Sequence, residues 1–129
     1  MVTELNKYID ESIQILNEQI EKIVDKRDKL GIWSYLTHDA EMHYKTDTIL
    51  QYLECIKDDI EYSQDITDKD EWVRYFEHII EVRTKQRMES NPMPYNTNPM
   101  VNLTALWEFD CYNAMIKYAT NMLNIVKKY

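Results

Sequence analysis

The sequence is short of residues that make tight turns, with one glycine and three prolines among 129 residues. Two-residue hairpins and β-sandwiches use such residues at regular intervals, so this scarcity argues against an all-β fold. Cysteine is also scarce: Cys55 and Cys111 are too few for a disulfide framework. Both fall within helical patterns, which predicts reduced thiols in a cytoplasmic protein.

Long apolar runs and an excess of positive charge are absent as well. No stretch approaches the ~18 consecutive apolar residues of a membrane span, and the polar first residues are unlike a secretory signal. The formal net charge is −8, from 23 acids and 15 bases. Because phosphate contacts need positive charge, this balance argues against direct nucleic-acid binding. We therefore expect a cytoplasmic protein with no membrane and no nucleic-acid partner.

Helix-favouring residues and helical spacing dominate what is present. Leu, Met, Lys, Glu and Gln are common, and apolar residues recur three and four apart. The pattern predicts four helices, over residues 3–30, 32–61, 70–89 and 101–127. The segment SNPMPYNTNP at 90–99 holds all three prolines. We predict a single domain over residues 1–129: an all-α antiparallel four-helix bundle with short connections and one Pro/Asn-rich loop before the last helix.

An interruption in the apolar stripe marks the second predicted helix. The stripe runs through Trp33, Leu36 and Ala40, then meets His43 and Asp47 at the same spacing before apolar residues resume. Polar side chains on a buried stripe cost free energy unless they are paired. They predict either hydrogen bonds, to each other or to a neighbouring tyrosine, or a functional site.

A metal centre is the functional interpretation of this interruption. Carboxylates and imidazoles one turn apart can share a metal ion, and facing helices of a bundle can complete the ligand set. The order His-x-x-Glu on the third helix is the reverse of the di-iron signature Glu-x-x-His, which weakens the case. No resident cofactor is predicted. The candidate ligands are Asp39, His43, Asp47, His78 and Glu81.

The acidity is concentrated in one part of the chain. Residues 31–70 hold 10 acids and 3 bases, whereas residues 71–129 hold 6 acids and 7 bases. Helical carboxylates four residues apart recur every ~6 Å, which approximates the spacing of phosphates along a nucleic-acid strand. The run is either a solubilising surface or a binding surface. It comprises Glu54, Asp58, Asp59, Glu61, Asp65, Asp68 and Asp70.

We predict from these features a small interaction protein that inhibits or neutralises a nucleic-acid-handling enzyme or a toxin. Phages and mobile elements encode proteins of this kind. The acidic run would imitate nucleic acid and bind a basic protein surface. Ten tyrosines and three tryptophans would supply interface anchors, and Tyr95 in the 90–99 loop is a further candidate contact.

Two other functions fit the sequence. One is a metal-dependent all-α enzyme such as a nucleotide pyrophosphohydrolase, although the paired Glu-x-x-Glu and Glu-x-x-Asp motifs are incomplete. The other is a structural homodimer through the first helix, whose stripe is heptad-like, or through the last, which has two apolar stripes. The carboxylates that would hold magnesium in the enzyme are Glu54, Asp58, Glu61, Glu77 and Glu81.

Overall fold

The protein is all-α throughout the part that the structure describes. The computed structural model describes residues 1–63, 66, 68–90 and 99–129, with the backbone alone at 99, 101 and 102. The prediction of an all-α bundle is confirmed, and each predicted helix boundary lies within two residues of the observed one. The elements are α1 (Val2–Leu30), α2 (Ile32–Ser34), a π-helical turn (Tyr35–Asp39), α3 (Ala40–Tyr62), α4 (Lys69–Glu89) and α5 (Pro99–Lys127).

The helix ends follow from local chemistry. Gly31, at φ 89°, ends α1 in a conformation that favours glycine, and its N–H donates to the Arg27 carbonyl at 2.8 Å. Asp68 begins α4, because its side chain accepts a hydrogen bond from the Asp70 N–H at 2.9 Å. α5 begins at Pro99, two residues before the predicted start, since proline is well tolerated in a first helical turn.

The second long helix of the bundle contains an irregularity that was not predicted from the sequence. α2, the π-helical turn and α3 follow one another without a break over residues 32–62. A π-helical turn rotates the following residues relative to a regular α-helix. The stripe that begins with Trp33 and Leu36 therefore does not continue into the core. Their side chains are 80% and 57% exposed, which corrects their assignment to one buried stripe with Ala40.

Contacts between helices give their directions. Lys57 pairs with Asp10, and Lys26 pairs with Asp39, so α1 and α3 run in opposite directions. In the same way, contacts join the start of α4 to the ends of α3 and α5, so α4 is antiparallel to both. Helices α3 and α5 are parallel to each other. These contacts are Asp59–Tyr75 and Tyr52–Arg83, Lys69–Lys127 and Arg87–Asn113, and Tyr44–Trp107 and Tyr52–Met115.

The core is densest at the end of the bundle where α3 ends and α4 begins. Side chains from all four long helices are fully buried there, and the Trp72 indole N–H donates to the Ile66 carbonyl at 3.2 Å. The chain ends close the same region, since Tyr129 and Lys128 both donate to Glu4 and hold its pKa below the ordinary value. The largest fully buried side chains among the described residues are Leu5, Ile9, Leu53, Ile60, Trp72, Phe76, Met122 and Val126.

α4 is shorter than its neighbours, with 21 residues against 29 in both α1 and α5. Because Arg87, near its end, contacts Asn113, the first part of α5 extends past the end of α4. The other end of the bundle therefore has described helices only from α1, α2–α3 and α5. Large apolar side chains are exposed at that end, as described below.

Candidate functional site

The predicted acidic run divides into groups with different roles. Asp68 and Asp70 lie at the start of α4, where the helix dipole is positive and a carboxylate is stabilising. Asp68 also caps the helix through the Asp70 N–H. These two acids are therefore accounted for by the stability of α4. Asp65 lies outside the described residues, as does Tyr95.

Asp59 serves a contact between two helices. The Tyr75 hydroxyl donates to Asp59 Oδ2 at 2.7 Å and so joins α4 to α3. Burial raises the pKa of Tyr75, and the hydrogen bond to Asp59 raises it further, because both disfavour the phenolate. The phenol thus stays protonated and donates over the whole physiological range. Asp59 is exposed but already engaged, so it is less free to bind a partner.

Glu54, Asp58 and Glu61 form the remaining group, and they have no structural role that the contacts reveal. All three are exposed at spacings of four and three along α3, and none makes an ion pair or hydrogen bond with a described side chain. The nearby Lys57 is engaged by Asp10, whose hydrogen bond raises the pKa of the lysine. These three carboxylates, with the adjacent Tyr62, are called the acidic face below.

The acidic face lies where carboxylates are least favourable for the helix. Asp58, Asp59 and Glu61 fall within the last five residues of α3, and the last turn has no basic residue. The dipole there is already negative, so each carboxylate costs roughly 0.3–1 kcal/mol where a lysine would stabilise. Tyr62 is 89% exposed beside them. The arrangement combines unpaired negative charge with an exposed aromatic ring, which suits contact with a basic protein surface.

The polar interruption on the second long helix is satisfied by local partners. The Tyr35 hydroxyl and His43 Nδ1 are 2.8 Å apart, which is the tyrosine contact considered from the sequence. Lys26 Nζ donates to Asp39 Oδ1 and lies 3.2 Å from Oδ2, which is buried and accepts no hydrogen bond from a described residue, and Asp47 accepts a hydrogen bond from Gln51. Three of the five candidate metal ligands are therefore occupied by different neighbours.

The other two candidate ligands lie elsewhere. His78 and Glu81 are exposed on α4. The Tyr75–Asp59 contact places His78 opposite the last part of α3, about 20 Å along the helix from His43 at 1.5 Å per residue. The structure does not bring the five side chains together. Within residues 1–63, 66, 68–90 and 99–129, no group of three or more His, Cys, Asp and Glu is arranged to hold a metal ion.

A groove between α3 and α4 was not predicted from the sequence. It has a volume of about 390 Å³ and an aromatic floor. The Arg83 guanidinium lies 5.2 Å from the centre of the Tyr52 ring, and the Tyr52 hydroxyl donates to the Met115 carbonyl. Burial raises the pKa of Tyr52, so this tyrosine also remains a donor. The sequence feature that could have indicated this groove is the helical spacing of Tyr52, Cys55 and Asp59. The lining also includes Ile56, Tyr75, His78, Ile79, Val82 and Gln86.

A second unpredicted surface lies at the corner where α1 meets α2. Leu30, Ile32, Trp33 and Leu36 are between 55% and 80% exposed within seven residues of sequence. They are called the apolar tip below. An exposed tryptophan among three exposed aliphatic residues is unusual for a small globular domain.

The fold and its surfaces define a small all-α bundle with an acidic face at one end and an apolar tip at the other. Comparison of the chain with protein-family models, with curated proteins and with solved structures found no match. In the described part of the chain, no helix is long and apolar enough to cross a membrane.

Proposed function

We propose that this protein binds a basic surface on a partner protein through the acidic face and thereby blocks a site for nucleic acid. The supporting observation is the position of Asp58 and Glu61, exposed and unpaired at the negative end of α3. Carboxylates at this position work against helix stability. Residues that break a local rule without a compensating contact are the ones in which to look for function.

The spacing of the charges supports the same conclusion. Glu54, Asp58 and Glu61 follow one another by four and three residues, which is about 6 and 4.5 Å along the helix axis. That spacing approximates successive phosphates of a nucleic-acid strand, so a basic groove that holds a strand is a suitable target. Nucleic-acid-handling enzymes and toxins that act on nucleic acids have such grooves.

Tyr62 supplies aromatic contact area, which the three carboxylates lack. Exposed ion pairs contribute little affinity because water and salt screen them, whereas a tyrosine buried in an interface can dominate binding. Tyr62 is 89% exposed and follows Glu61 directly. We expect the carboxylates to speed association and the tyrosine to slow dissociation.

The test is affinity capture from the native host with three baits of matched design. The first is the wild-type protein, the second carries Glu54→Lys, Asp58→Lys and Glu61→Lys, and the third carries Glu11→Lys, Glu18→Lys and Glu21→Lys on the exposed face of α1. Both triple variants change the net charge equally, so they separate a specific face from overall acidity. The expected result is a basic protein retained by the wild type and the α1 variant but lost by the α3 variant.

The captured protein then allows a quantitative check. Its affinity for wild type should fall at least tenfold between about 50 and 200 mM salt, because surface charges are screened. Duplex DNA or RNA should compete with this protein for the captured partner. Equal capture by both triple variants, or binding that neither salt nor nucleic acid weakens, would show that the acidic face is only a solubilising surface.

A further inference from the structure

We infer that the apolar tip binds a second copy of this chain, which pairs two molecules tip to tip. Trp33 is 80% exposed, Leu30 63%, Leu36 57% and Ile32 55%. Tryptophan is the side chain that most often anchors a protein interface, and adjacent aliphatic residues exclude water around it. This surface is distinct from the acidic face, which lies about 30 to 40 Å away along the helix at 1.5 Å per residue.

The tip is held by contacts beneath it. The Arg27 guanidinium lies 5.6 Å from the centre of the Tyr35 ring, and the Tyr35 hydroxyl contacts His43 Nδ1 at 2.8 Å. The Thr37 hydroxyl donates to the Trp33 carbonyl at 2.7 Å. These contacts fix the backbone that carries Trp33, so little conformational entropy is lost when the tip binds.

The charges around the tip favour a second copy as the occupant. Residues 25–39 contain three acids and three bases, in a chain whose net charge is −8. Each of these acids pairs with one of the bases: Asp25 with Lys29, Arg27 with Asp28, and Lys26 with Asp39. A neutral tip gives no attraction for a strongly charged partner, and it allows two copies to meet without repulsion.

The two acidic faces would lie too far apart to repel each other in a tip-to-tip pair. In a tip-to-tip pair the two acidic faces would be roughly 60 Å or more apart, by doubling the helical rise between tip and acidic face. This separation is several times the Debye length of about 8 Å at physiological ionic strength. Self-association at the tip should therefore be insensitive to salt, in contrast to binding at the acidic face.

The exposed apolar area is of the order that a weak dimer requires. Met100, Leu103 and Leu106 of α5 are also exposed at this end of the bundle, at 65%, 38% and 42%. The Tyr44–Trp107 ring contact, with centroids 5.5 Å apart, places this part of α5 beside the start of α3. Together with the tip these side chains form a patch of seven exposed apolar residues, against about 20–30 residues and 800 Å² per partner in a standard interface. A pair with a dissociation constant in the micromolar range or weaker follows.

The pure protein alone provides the test, so the result does not depend on any partner of the acidic face. Sedimentation equilibrium over micromolar to millimolar concentrations should show a mass that rises from monomer towards dimer. Trp33→Lys should weaken dimerisation at least tenfold, and Leu36→Lys should do the same. Ile15→Lys is the matched control because Ile15 is 56% exposed on α1 away from the tip. This control should dimerise like wild type, and the wild-type constant should change less than threefold between 50 and 500 mM salt.

Several results would overturn the inference. One is a monomer at every concentration, and another is an equal loss with Ile15→Lys and Trp33→Lys. A dimer that dissociates in salt would place the contact elsewhere. A protein that stays monomeric while phosphatidylcholine vesicles shift its tryptophan emission to shorter wavelength would assign the tip to a lipid surface.

Discussion

The two ends of the helix over residues 32–62 are opposites in chemistry. At the end of α3, apolar residues such as Ile60 are buried, and the surface carries unpaired carboxylates. At the start of α2, the charges are paired and Trp33 is exposed. Each end carries a feature that folding alone does not require: at one, carboxylates that meet only the charge of Lys57, and at the other, exposed apolar side chains. Each end therefore carries one of the two surfaces proposed above as binding surfaces.

The difference follows from the number of helices that pack at each end. Trp72 and Phe76 of α4 are fully buried, so the acidic end has contributions from four long helices. α4 ends at Glu89, and its Arg87 contacts Asn113 well inside α5. Beyond that point α4 is not present to cover the apolar side chains of its neighbours.

The largest effect on stability is expected from a core residue that lies between the two ends of the helix. Leu53 is fully buried in the middle of α3, so Leu53→Ala should lower the free energy of unfolding by about 2–5 kcal/mol. The adjacent, exposed Glu54→Ala should change it by less than about 0.5 kcal/mol. Urea denaturation followed by circular dichroism measures both. If Leu53→Ala and Glu54→Ala had similar effects, the buried side of α3 would not be the packed core of the bundle.

A smaller loss is expected at the start of α4, where the acid has a structural role. Asp68→Ala removes the side-chain acceptor for the Asp70 N–H and should cost about 1 kcal/mol. Asp68→Ser keeps an acceptor and should retain most of the stability. Thermal unfolding distinguishes the two variants. If alanine and serine behaved alike, the cap would not be the reason for an acid at this position.

A gain is expected at the end of α3, where the acid works against the helix. Asp58→Lys should raise the free energy of unfolding by about 0.3–1 kcal/mol, because it favours the helix dipole and places a lysine four residues after Glu54. The same charge change at Asp70→Lys, at the start of α4, should instead lower stability. If lysine raises the free energy of unfolding at Asp58 and lowers it at Asp70, then Asp70 stabilises its helix and Asp58 does not. A loss of stability in Asp58→Lys would contradict it.

Much of the fold and part of the candidate site could be predicted from the sequence. The helices were predicted because apolar periodicity is a local signal, and the glycine after α1 and the cap before α4 are local as well. The contact between His43 and a tyrosine was among the alternatives, because a polar residue on an apolar stripe needs a partner. The separation of Asp59 from Glu54, Asp58 and Glu61 was not predictable, since it depends on the contact that Asp59 makes with Tyr75 on another helix.

Local sequence features were enough to predict that the chain forms helices, where they begin and end, and that its acidity lies between residues 31 and 70. These properties depend on neighbours within a few positions of each residue. The exposure of Trp33, and the lack of a hydrogen bond or ion pair with a described side chain at Glu54, Asp58 and Glu61, became apparent only from the packing of the helices. Those outcomes depend on which parts of the other helices reach residues 32–62: for example, Asp10 pairs with Lys57, and Tyr75 donates to Asp59. Both arise from packing between distant segments, which periodicity along one helix does not encode.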